Sequence, residues 1–97
     1  MYQKRFVNLV KSMPLTLGVR MGRWAIYHKI PVKTISEITG ARRQTIYNWM
    51  SGGEVAPSYR SVVERLLASM ERSKTSSEAW SAVCTEFNLQ DSPTENS

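Results

Sequence analysis

Val32-Lys33-Thr34-Ile35-Ser36-Glu37-Ile38-Thr39-Gly40-Ala41-Arg42-Arg43-Gln44-Thr45-Ile46-Tyr47-Asn48-Trp49-Met50-Ser51-Gly52 is the stretch whose reading decides the fold. Val32, Ile35 and Ile38 recur at helical spacing, and so do Ile46, Trp49 and Met50. Gly40 falls between the two runs, where a left-handed residue closes a helix and glycine fits without strain. The spacing predicts helices over 32–39 and 43–51, joined by a tight turn. Ser36 is small where the two helices cross, and Ala41 is small enough to tuck under the turn. With Ile46 and Trp49 inward, the second helix turns Arg43, Gln44, Tyr47, Asn48 and Ser51 outward, with Arg42 at its N-terminal edge.

Proline and glycine punctuate the chain on either side of this unit. Phe6, Leu9, Val10 and Met13 predict a short first helix ended by Pro14. Residues 1–13 are open to two roles, joining the core or lying as an arm along a partner. Leu17, Met21, Trp24, Ala25 and His28 form one stripe of a helix over 16–29, stopped by Pro31. Gly18 and Gly22 weaken that helix by about 1 kcal/mol each relative to alanine, and their compensating benefit is close approach of a neighbouring backbone. Trp24 and Trp49 are read as core. Gly52 and Gly53 end the 43–51 helix, and Pro57 sits at a first helical position. A helix over 58–72 then buries Tyr59, Val62, Val63, Leu66, Leu67 and Met70. Residues 73–77 read as a polar linker, with Thr75 or Ser76 capping a helix over 77–88. The expected organisation is a domain over 1–72, with the two-helix motif at 32–51. A linker with an amphipathic helix follows over 73–88, and a disordered acidic tail over 89–97. Strand signals are weak, so the fold class is all-α, a bundle of about five helices.

The charge divides unevenly. Residues 1–74 hold all thirteen Lys and Arg against four acids, leaving +9, while residues 75–97 hold four acids and no base, leaving −4. A basic body with an acidic tail points to a polyanionic partner. No apolar run approaches the roughly 18–20 residues that span a bilayer, and the basic, amphipathic start has no secretory-signal pattern. A cytoplasmic protein is expected. One cysteine, Cys84, and one histidine, His28, supply neither a disulfide nor a structural zinc site. Cys84 reads as inert packing, and His28 as packed or surface-exposed rather than catalytic. Paired carboxylates, a phosphate loop and a metal set are all lacking, so no enzyme, cofactor or small-molecule effector is expected.

The outward face of the 43–51 helix carries the residue types that read DNA. Arginine forks onto guanine O6 and N7, and Gln or Asn bridges adenine N6 and N7. Arg42, Arg43, Gln44, Tyr47, Asn48 and Ser51 are the candidate base readers. Two roles are open to Tyr47, a DNA contact or aromatic packing against Val55 or the neighbouring helix. Arg20, Arg23, Lys29, Lys33, Thr45 and Arg60 are the candidate phosphate contacts, with a solvated surface as the alternative for the charged ones. Trp80, Val83, Cys84 and Phe87 line one face of the 77–88 helix. That face either folds onto the core or pairs with a second copy, and the pairing makes these four the expected homodimer interface.

The run Ile35–Trp49, followed by Trp49-x-x-Gly52 and by Pro57 five residues on, resembles the helix-turn-helix of phage-repressor-like (Cro/C1-type) regulators. The resemblance covers roughly residues 16–70. It implies a lambda-repressor-like bundle of five helices, usually dimeric on a palindromic operator in double-stranded DNA, in a phage- or prophage-encoded repressor. Two departures stand out. The family often begins both motif helices with Gln, where Val32-Lys33 and Arg42-Arg43 stand here. Lys33 then supplies a point charge rather than an amide. Arg42 replaces the usual Ser or Thr cap, whose loss costs about 1 kcal/mol; either it serves DNA at the expense of stability or water caps the exposed end. A different reading of the same scaffold is a small interaction protein that binds a host protein or acts in DNA packaging or recombination. A third, a DNA-binding antitoxin with a tail that folds on a toxin, is disfavoured because residues 90–97 carry no apolar anchor.

Overall fold

Gly18 and Gly22 organise the molecule. In the computed structural model, which describes residues 2–89, a Cβ on Gly18 would lie 2.8 Å from the Trp49 carbonyl carbon and Cβ, and nearer still to its oxygen. A Cβ on Gly22 would lie 2.9 Å from Met50 Cβ. The second helix thus takes another helix directly onto its backbone, the benefit that offsets two glycines in a helix interior.

Six helices make up the described residues: α1 (Lys4–Ser12), α2 (Leu17–Tyr27), α3 (Val32–Thr39), α4 (Arg43–Met50), α5 (Pro57–Glu71) and α6 (Ser76–Phe87). The central helix α2 packs against α4 and α5, α3 packs against α4 and α5, α1 covers α2, and α6 lies on α5. Val19, Met21 and Ala25 of α2 meet Ile35, Ile46, Met50, Val63, Leu66 and Met70 in one buried core. None of the helices is long and apolar enough to cross a membrane.

The turns follow local chemistry. Gly40 closes α3 with φ of 80°, a left-handed conformation that costs a residue with a Cβ roughly 1 kcal/mol or more. Ser36 does more than stay small, since its hydroxyl donates to the Ala41 carbonyl at 2.7 Å. Thr39 Oγ1 accepts from the Ala41 amide at 3.1 Å, and Ala41 itself is buried. Pro57 opens α5, and Thr75 caps α6 by accepting from the Glu78 amide at 3.0 Å.

The packing decides the open alternatives and corrects other expectations. Residues 2–13 join the core: Val10 is fully buried, Tyr2 and Phe6 pack on it, and Leu9 faces solvent. Tyr2 donates its hydroxyl to the Ile30 carbonyl at 2.7 Å, and burial, with Tyr47 adding to it, holds that hydroxyl well above the ordinary tyrosine pKa. Trp24 is half-buried at the margin, packed against the core on one side and lining open space beside α1 and the loop after α5 on the other. It stacks on His28, which is buried and presents Nε2 to the Met70 carbonyl at 3.1 Å. The helix α6 belongs to the same body as the rest. Ala79, Val83 and Cys84 are buried, and Arg65 ties α5 to α6 through Glu86 at 2.9 Å and lies 4.8 Å over the Phe87 ring. Leu89, expected in the tail, packs against the core; the rest of that tail, 90–97, lies outside the described residues.

Candidate nucleic-acid interface

Helix α4 is short because both of its ends are fixed by the chain's geometry. Arg42 precedes it in an extended conformation (φ −70°, ψ 153°), and Ser51 closes it. Ile46, Trp49 and Met50 are buried against α2 and α3, and Tyr59 at the start of α5 lies 5.2 Å from the Trp49 ring. These contacts fix the rotation of α4, and hence which side chains face out. Arg42, Arg43, Gln44 and Asn48 are exposed on that outer side. Gln44 Nε2 donates to Asn48 Oδ1 at 3.2 Å, one turn along the helix, so the two amides stand as a single ridge.

Neither α3 nor α4 has a side-chain cap or an acidic residue in its first turn. Their first amides have no side-chain acceptor among the described residues, and such amides donate to water or to an anion. Arg42 and Arg43 surround the start of α4, and Lys33 is exposed in the first turn of α3. Each helix start thus combines the positive end of a dipole with exposed side-chain cations, Lys33 at α3 and Arg42 and Arg43 at α4.

The other candidates divide. Ser51 is withdrawn from base reading: its hydroxyl donates to the Tyr47 carbonyl at 2.8 Å and reaches the Asn48 carbonyl at 3.3 Å, closing its own helix. Tyr47 is half-buried and packs edge-on against Phe6 of α1 at 5.1 Å. Arg60 is exposed one residue after Tyr59, beside the end of α4, and Thr45 is half-buried. Lys29 is exposed in a left-handed turn between α2 and α3.

Arg20 and Arg23 do not join this side. Successive helical residues are about 100° apart, so Arg20, midway between Gly18 and Gly22, points away from α4. It pairs with Glu71 at 2.8 Å. Arg23 donates to the Lys11 carbonyl at 2.6 Å and reaches the Met13 carbonyl at 3.4 Å, tying the end of α1 to α2. Its role is structural.

No protein-family model matches this chain, and no curated protein or solved structure matches it.

The expected dimer stripe is largely occupied within the chain. Val83 and Cys84 are buried against α5, while Trp80 and Phe87 are half-buried at its margin. An amphipathic helix looks the same in sequence whether its apolar side meets its own core or a second copy.

Proposed function

We propose that this chain is a sequence-specific double-stranded DNA-binding regulator, in the manner of the phage-repressor-like helix-turn-helix proteins, with α4 as the helix that enters the major groove. The observation that carries the reading is the division of α4. One side is locked onto the α2 backbone at Gly18 and Gly22, the opposite side presents Gln44 and Asn48, and Arg42 and Arg43 are exposed at the N-terminal end of the helix. A recognition helix needs this combination, because a base contact has value only if the helix cannot roll away from it.

In this reading Arg43 forks onto a guanine, and Gln44 and Asn48 meet adenine edges. Arg42, Lys33, Arg60 and the first amides of α3 and α4 hold phosphates, which set register and salt dependence but carry little sequence information. One α4 covers one half-site, so the reading includes a homodimer on a palindrome. Its interface excludes Val83 and Cys84, which are buried within the chain. Binding to an operator blocks polymerase by occupancy, with repression as the expected effect.

The test is selection from a random pool of duplex DNA at two salt concentrations, followed by sequencing. Enrichment of a palindrome with half-sites about one helical turn apart is the expected result. Binding that collapses with salt and enriches no sequence would leave only phosphate attraction and overturn the reading.

A further inference from the structure

The side of α2 turned away from α4 carries a second feature. A groove of roughly 940 Å³ runs between α1, α2 and the loop after α5. Its floor is apolar, made of Val7, Leu15, Trp24, Ile26 and Tyr27. Leu15 and Tyr27 are 62% and 65% exposed, the two most exposed large hydrophobic side chains among the described residues. Its rim is cationic, formed by Lys11, Arg20, Arg23 and Lys74, and among the described residues no acid lines it. Glu71 stands beside it only as the partner of Arg20.

We propose that this groove docks an acidic amphipathic segment of a partner protein, its apolar side chains seated on Leu15, Trp24 and Tyr27 and its carboxylates on Lys11, Arg20 and Lys74. Three physical points select that occupant. An enclosed small-molecule site buries most of its ligand, whereas this floor stays open at Leu15 and Tyr27 and suits an elongated segment. A nucleic-acid backbone would meet the rim but would gain nothing from an apolar floor with aromatic rings. A segment with both apolar and acidic side chains satisfies both, and contiguous exposed apolar surface rimmed by charge marks such sites. Because Arg20, Trp24 and Tyr27 lie on the side of α2 opposite Gly18 and Gly22, the segment and a DNA duplex on α4 do not compete for space.

The experiment is selection of a displayed random-peptide library on the full chain, followed by titration of the enriched peptide. Enriched peptides are expected to alternate aromatic or aliphatic anchors with Asp or Glu, and to weaken as salt rises. Leu15→Asp, and separately the double change Lys11→Glu with Lys74→Glu, are expected to weaken the peptide at least tenfold while circular dichroism and melting stay those of the parent; these positions are exposed, so the fold does not depend on them. Arg43→Ala with Gln44→Ala is expected to leave peptide binding unchanged, which separates this site from the DNA-reading proposal. Enrichment of basic peptides, no enrichment, or equal binding by the groove variants would overturn the inference. So would loss of duplex DNA binding in the Lys11→Glu, Lys74→Glu variant, which would make this face a nucleic-acid surface.

Discussion

Replacing Gly18 by alanine opposes two effects of known sign. In a helix interior alanine is favoured over glycine by about 1 kcal/mol, so if α2 were free on that side the change would stabilise the protein. Here the new methyl would sit 2.8 Å from the Trp49 carbonyl carbon and Cβ, closer than real Cβ atoms approach. The obstacle is the backbone of α4, which cannot swing aside as a side-chain tip does. Overpacking of this kind costs typically 1–3 kcal/mol, and a backbone obstacle puts Gly18→Ala near the upper end. The net expectation is a loss of about 1–2 kcal/mol. At roughly 4–8 °C per kcal/mol for a domain of this size, melting falls on the order of 5–15 °C.

Gly22→Ala is the graded companion. Its methyl would meet Met50 Cβ and Cγ at 2.9 Å and Cα at 3.3 Å; Cγ can turn aside, but Cβ is fixed to the α4 backbone. The crowding is milder than at Gly18 without vanishing, and the melting temperature is expected between those of Gly18→Ala and the parent. Differential scanning calorimetry of both variants decides the matter. A Gly18→Ala protein as stable as the parent, or more so, would refute the seating of α4 on α2. It would also leave the outward placement of Gln44 and Asn48 without its support.

Arg43→Ala with Gln44→Ala is expected to leave stability within about 0.5 kcal/mol, as for exposed positions generally, while specific DNA affinity falls at least about thirty-fold, since each lost bidentate contact is worth roughly 1–3 kcal/mol; paired melting and operator titrations read both. Tyr2→Phe removes the hydroxyl bonded to Ile30 and is expected to cost about 1 kcal/mol at neutral pH. Because the folded state raises the Tyr2 pKa, that group's contribution is fully present below its unfolded value of about 10 and is lost as pH rises beyond it. Denaturant titrations of parent and variant should therefore converge above pH about 10, and a constant difference would contradict the burial of that hydroxyl. Thr75→Ala removes the α6 cap and is expected to cost about 1 kcal/mol. Amide exchange should rise in α6 first while α2 and α4 keep their protection, and uniform loss would count against local capping.

What was legible in the sequence was local. Gly40, Pro57 and Thr75 act within a turn of their own position, and each sits where turn and cap chemistry predicted. The stripes of α2 to α6 gave five helical segments with ends within two residues of those observed, because an apolar face of period 3.6 is written in the segment that uses it. Most of the misses are pairings across the chain. Nothing near Tyr47 says that its ring meets Phe6, forty-one residues away. Nothing near Arg23 announces carbonyls at Lys11 and Met13. The Trp24 stripe position is compatible with the core, but the ring sits at its margin, half-buried beside the open groove. Ser51 was misread for a different reason. A serine at a helix end has the option of bonding back to its own carbonyls, and that local competitor defeated its outward reading.

These pairings make α1 the link between the two sides of the molecule. Phe6 buttresses Tyr47 on α4, while Val7 on the next residue lines the groove beside Trp24. Tyr2 fastens the start of α1 to Ile30, just before α3, and Arg23 fastens its end to α2. A helix held at both ends this way has little freedom to slide, so a change in how it packs on α2 must be felt at Tyr47. Tyr47 in turn lies one residue before Asn48 on the exposed ridge of α4. The outer face of α4 is therefore fixed from two directions, by the α2 backbone beneath Trp49 and by the α1 ring against Tyr47. The second support is the weaker one: a single edge-on aromatic pair contributes roughly 0.5–1.5 kcal/mol beyond its buried area. If anything on the far side of α2 influences how α4 meets a partner, the packing of α1 is the physical route.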